Sequence, residues 1–110
     1  QWRDAFTGNT TTQSEDLQMD HVVPLKLPRV NGAKQWPAER RAQFYNDPKN
    51  LRITHKKINR EKGARSPINW LPPAVAQRCT YLTDFQDVLK AYDIDGFKTE
   101  LDELRLQLCR

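Results

Sequence analysis

The last third of the chain carries its apolar residues at helical spacing. Tyr81, Phe85, Val88, Leu89 and Tyr92 recur every three or four positions, and so do Phe97, Leu101, Leu104 and Leu108. Each set places its apolar side chains on one helix face, and Asp93 to Gly96 can connect them, so residues 79–110 are expected to form an α-hairpin. Upstream the period changes. Leu17 and Met19 alternate with Gln18 and Asp20 and lead into His21-Val22-Val23-Pro24, a pattern that predicts a strand stopped by proline. Leu51 and Ile53 predict a second short strand. Pro37 suits the first turn of a helix through Glu39, Arg40, Phe44 and Tyr45, closed by Asp47-Pro48. Thr54 offers an N-cap for a helix from His55 to Lys62, and Gly63 its C-terminal cap. Residues 1–14, with Thr7-Gly8-Asn9, read as a loop or a weak hairpin arm. Residues 26–35 read as a loop, and Ser66-Pro67 opens a turn that ends at Leu71-Pro72-Pro73. Trp36 and Trp70 are expected to pack in the core.

Length turns these elements into one domain. A chain of 110 residues with 37% hydrophobic residues suffices for one core and not for two. At this size the core alone is thin, so a cross-link or ligand is expected to support it. No apolar run is long enough for a membrane span. Because the sequence starts at Gln1 and not at methionine, it is expected to be a processed or trimmed form, and the missing signal peptide decides nothing about export.

Charge is uneven. The net charge is +4, yet residues 49–65 hold seven basic side chains against Glu61 alone, while residues 79–110 hold four basic and seven acidic ones. One surface therefore suits a polyanion and the other does not. The acidic hairpin can instead serve a protein inhibitor or a larger complex; otherwise the chain is expected to be a monomer. Cys79 and Cys109 match no zinc-knuckle spacing. They stand at opposite ends of an antiparallel hairpin whose arms are of similar length, which brings them to the same end. A disulfide is expected, with two buried thiols as the alternative. A disulfide points to a secreted or periplasmic protein rather than a cytoplasmic one, although a cytoplasmic phage or mobile-element setting stays open.

The candidate chemistry lies where the strand ends. Asp20-His21 puts a carboxylate beside an imidazole, although side chains adjacent on a regular strand face opposite ways, so a joint role needs a strand end or bend. Downstream, His55, Asn59 and Lys62 follow i, i+4, i+7 spacing and share a helix face. Cutting a phosphodiester needs a base, an activated water and positive charge on the phosphate, and these residues supply such types.

Asp20-His21, then Asn50, then Asn59 nine positions later with Lys62-Gly63 behind it, resembles the signature of the HNH (ββα-metal) endonucleases in the variant that ends in Asn. A wider set extends the likeness over nearly the whole chain: Trp2, Thr7-Gly8, Asp20-His21-Val22-Val23-Pro24-Leu25, Asn46-Asp47-Pro48, Asn50-Leu51, Asn59-Arg60-Glu61-Lys62-Gly63, Trp70-Leu71-Pro72-Pro73 and Cys79. It is similar to small secreted bacterial members of that family. The resemblance implies an α+β fold, a single HNH nuclease domain over residues 1–110 with its ββα-metal core at about 15–65, flanking helices and the C-terminal α-hairpin at 79–110. It implies His21 as general base, Asn50 as the brace of the loop around it, and Asp20 and Asn59 as ligands. Those oxygen donors suit Mg²⁺ or Mn²⁺. Arg60, Lys62, Arg65 and Lys56 are expected at phosphates of nucleic acid, DNA above RNA. His55 stays open between catalysis, phosphate contact and helix capping. The implied activity is endonucleolytic, with a nickase among its forms. A nucleic-acid-binding module without catalysis and a protein-interaction domain are the competing readings.

Overall fold

The computed structural model describes residues 2–27, 35–94 and 96–110. Of the loop expected over residues 26–35, positions 28–34 lie outside the described residues, as does Asp95 in the hairpin connection. The architecture is α+β. Among the described residues four strands, β1 (Trp2–Arg3), β2 (Thr10–Thr11), β3 (Leu17–His21) and β4 (Leu51–His55), form two antiparallel pairs, β1 with β2 and β3 with β4. The helices are α1 (Ala38–Asn46), α2 (Lys56–Lys62), α3 (Arg78–Ala91) and α4 (Lys98–Leu108).

The β3–β4 register pairs Leu17 with His55, Asp20 with Arg52 and His21 with Leu51. Directly opposed residues share a sheet face, so Gln18, Asp20, Arg52 and Thr54 lie on one side. That side turns toward the rest of the protein: Asp20 and Thr54 are buried, and Arg52 pairs with Asp84 of α3 at 2.9 Å. Met19 on the other side is exposed. Helix α2 follows β4 without a loop and packs on both strands.

The core combines Phe6, Val22, Val23 and Phe44 with Tyr81, Leu82, Phe85, Val88, Leu89, Tyr92, Ile94 and Leu101. Trp36 and Trp70 pack against it, Trp70 edge-on to Phe6 and Tyr81. Cys79 and Cys109 form a disulfide, with Cα atoms 5.1 Å apart and a sequence separation of 30. Closing a loop of that length stabilises a small domain by about 3–4 kcal/mol in the chain-entropy picture.

One cap differs from expectation. Thr54 does not start α2; it ends up buried in β4, and its hydroxyl donates to Asp4 Oδ1 at 2.7 Å. The N-cap is His55, whose Nδ1 accepts from the backbone N–H of Lys57 at 3.1 Å. Gly63 closes the helix with φ +54°, a conformation a side chain would strain.

Asp4 causes the change. Its Oδ1 also accepts from the N–H groups of Phe6 and Thr7, and its Oδ2 accepts from the N–H of His55 at 2.9 Å. It thereby pins the N-terminal arm to the end of β4. Burial raises the pKa of this carboxyl, but the bonds from Phe6, Thr54, His55 and Thr7 outweigh it and hold the pKa below 3.8. A depressed folded pKa gives stability that is complete above the unfolded value and is lost as pH falls through the folded one. Asp4→Ala is expected to cost about 3 kcal/mol, from lost charge-assisted bonds and donors left buried. It should also flatten the acid limb of stability, measured by urea denaturation between about pH 2 and 5. An unchanged acid limb would remove Asp4 from this role.

Candidate active site

Asp20 and His21 are the last two residues of β3, and their side chains have separate partners. His21 Nε2 lies 2.8 Å from the backbone oxygen of Tyr45. A carbonyl can only accept, so Nε2 carries the proton and Nδ1 of the neutral ring keeps its lone pair. The Tyr45 ring, at the last turn of α1, touches the imidazole with centroids 4.2 Å apart. The imidazole is thus held from two directions while partly exposed.

Asp20 points the other way, into the seam between β3 and α2. Its carboxylate is 4% exposed, and Lys62 Nζ lies 3.4 Å from Oδ1 and 3.3 Å from Oδ2. The same ammonium donates to the backbone oxygen of His21 at 2.8 Å. Lys62 is fully buried. Burial pushes Asp20 upward, against the pull of Lys62 and His21, and pushes Lys62 downward, against the pull of Asp20. One turn earlier in the seam, Asn59 Nδ2 donates to Gln18 Oε1 at 3.0 Å. Gln18 and Asp20 are alternate residues of one strand face, and Asn59 and Lys62 are i, i+3 neighbours on α2. Asn59 and Asp20 therefore belong to the same seam.

Asn50 is fully buried. Its Oδ1 accepts from Val23 N–H at 2.7 Å, its Nδ2 donates to Val23 O at 3.1 Å, and its backbone oxygen accepts from Val22 N–H at 2.8 Å. These bonds fix the two residues that follow His21.

The basic run divides. Lys49, Lys56, Lys57, Arg60 and Arg65 are exposed, Lys56 with Asp16 at 3.7 Å, whereas Arg52 is paired with Asp84 and Lys62 is interior. Lys62 therefore has no surface from which to meet a phosphate, unlike its expected placement. His55 has Nδ1 committed to the cap of α2. Sequence reading missed three residues, Asp4, Tyr45 and Gln18, because each acts through partners distant in the chain. Only the position of Lys62, three residues after Asn59 on the face that meets β3, carried a signal of its burial.

Residues 1–105 match the family described as GmrSD restriction endonucleases, C-terminal domain. The chain belongs to this family. That description is of a restriction-endonuclease domain, which supports an HNH-like endonuclease family for the chain. The chain is also 33% identical over 110 residues to a protein of Arthroderma benhamiae named "Uncharacterized secreted protein", covering 97% of this chain and 53% of that protein. The chain thus spans about half the length of that relative. No solved structure matches it. Among the described residues no helix is long and apolar enough to cross a membrane.

The resemblance implies a divalent cation, and the donors present suit one. Asp20 Oδ2 is buried, and apart from the Lys62 ammonium 3.3 Å away it meets no hydrogen-bond donor among the described residues. With the amide oxygen of Asn59 it supplies the hard donors Mg²⁺ or Mn²⁺ favours. Among the described residues no cluster of three His, Cys, Asp or Glu side chains can hold a metal. A cation there would draw most of its shell from water and phosphate, and it would share the Asp20 carboxylate with Lys62.

Proposed function

We propose that this chain is a metal-dependent endonuclease that hydrolyses phosphodiester bonds of DNA in preference to RNA, with β3, β4 and α2 as its ββα-metal core. The observation that carries this reading is the His21 imidazole. Its Nε2–H donates to Tyr45 O, which leaves the Nδ1 lone pair to accept a proton from an attacking water. Asn50 keeps the backbone after His21 from yielding as the ring is loaded. Asp20 and Asn59 would hold a divalent ion, which when bound would supply Lewis-acid stabilisation of the leaving 3′ oxygen. Exposed Arg60, Lys56 and Arg65 bind phosphates on either side, which positions a strand without reading its sequence. The disulfide, together with the secreted relative, supports work outside the cell or in another oxidising compartment.

The test is metal removal. EDTA is expected to abolish cleavage, and Mg²⁺ or Mn²⁺ to restore it. Asn59→Ala should lower turnover by more than the about 10–100-fold that follows loss of an outer-shell partner, and Asn59→Asp should keep part of the activity by keeping an oxygen. Full cleavage in EDTA would contradict the proposal.

A further inference from the structure

Tyr45 does more around His21 than lend its backbone oxygen. Its side chain is 50% exposed, although the ring is already packed against the imidazole. The same ring lines a groove of about 430 Å³ together with Leu25, Arg41, Ala42 and Asn46. Arg41 and Tyr45 are i, i+4 neighbours on α1, so they stand one above the other along the groove. Arg41 is exposed, and among the described residues no carboxylate pairs with it. An exposed aromatic face, an unneutralised guanidinium one helical turn away and an aliphatic wall at Leu25 are what a nucleotide needs. A base stacks on the ring and a phosphate meets the cation.

We propose that the Leu25–Arg41–Tyr45 groove is a nucleotide subsite next to the scissile phosphate, in which a base stacks on Tyr45 and the neighbouring phosphate pairs with Arg41. This rests on the reading of His21 as the base, and it adds a preference that reading does not contain. A base can lie flat on Tyr45 only after leaving its stack, so the subsite favours single-stranded or unpaired nucleotides over intact duplex. Here the Tyr45 ring binds substrate directly. The Tyr45 carbonyl, which anchors His21, belongs to the backbone and survives any side-chain change.

That separation makes the test sharp. Tyr45→Ala should raise KM on a single-stranded oligonucleotide at least about fivefold, the lower end for losing one stacked base, beyond whatever kcat it loses with the ring that packs on His21. Tyr45→Phe should restore KM. Arg41→Ala should raise KM and reduce the slope of log affinity against log salt by about one unit. In EDTA, a 2-aminopurine oligonucleotide should be quenched by the wild type and by Tyr45→Phe but not by Tyr45→Ala. A fall in kcat with KM unchanged in Tyr45→Ala would mean that the ring only braces His21, and the subsite would be overturned. Equal quenching by Tyr45→Ala, or a wild-type preference for duplex over single strands, would overturn it as well. Absence of any cleavage by the wild type with metal would instead overturn the nuclease reading beneath it.

Discussion

His21→Ala is expected to lower turnover by at least about a hundredfold, the lower range for losing a general base, with little change in DNA affinity or melting temperature. Each part of that expectation has a structural reason. The imidazole donates to Tyr45 O and so keeps its Nδ1 lone pair beside the strand end. Affinity should hold because the exposed cations Arg60, Lys56 and Arg65 are untouched. Stability should hold because the ring is partly exposed and the carbonyl it releases can turn to water. Single-turnover cleavage and a filter-binding titration on the same preparation separate the two quantities. Near-normal cleavage by a folded variant would take the base assignment away from His21.

Lys62→Met is expected to lower stability by about 3–5 kcal/mol, since removing one member of a buried ion pair leaves the other charge uncompensated. This is a large share of the about 5–15 kcal/mol that holds a domain together. The side chain is fully buried and meets both Asp20 oxygens and His21 O. A phosphate-binding lysine on the surface would cost almost nothing when replaced, so thermal denaturation decides between the two roles. Adding Asp20→Asn to Lys62→Met should recover much of the loss, because two neutral groups no longer oppose burial. A double variant less stable than Lys62→Met would contradict the account of the pair.

Elements whose information is local were legible in the sequence. The α-hairpin follows from the period of Tyr81, Phe85, Val88, Leu89 and Leu101, all of them buried, and its geometry alone brings Cys79 to Cys109. Strand β3 follows from alternation and from Pro24. Where a distant group intervened, the local rule failed. Thr54 is a good N-cap by type, but Asp4, fifty residues earlier, takes its hydroxyl and leaves the cap to His55. Lys62 reads as one more member of a basic run, although a lysine on the α2 face that meets β3 has to find a carboxylate, and Asp20 is there. The candidate residues were legible by type and spacing; their partners were not. Nothing in the sequence pairs Tyr45 with His21, because the bond uses a backbone oxygen that every residue owns.

The proposed reaction is attack of water on phosphorus with departure of the 3′ oxygen. The most direct measurement is the chemistry of the ends it leaves. Supercoiled plasmid, single-stranded DNA and RNA are digested by the purified protein with Mg²⁺ or Mn²⁺, and the products are tested for 5′-end labelling by a polynucleotide kinase with and without prior phosphatase. The account predicts cleavage that EDTA abolishes, with 5′-phosphate ends that accept label only after phosphatase and 3′-hydroxyl ends that a polymerase extends. No cleavage of any substrate with metal present, or 5′-hydroxyl ends opposite a 3′-phosphate, would contradict it.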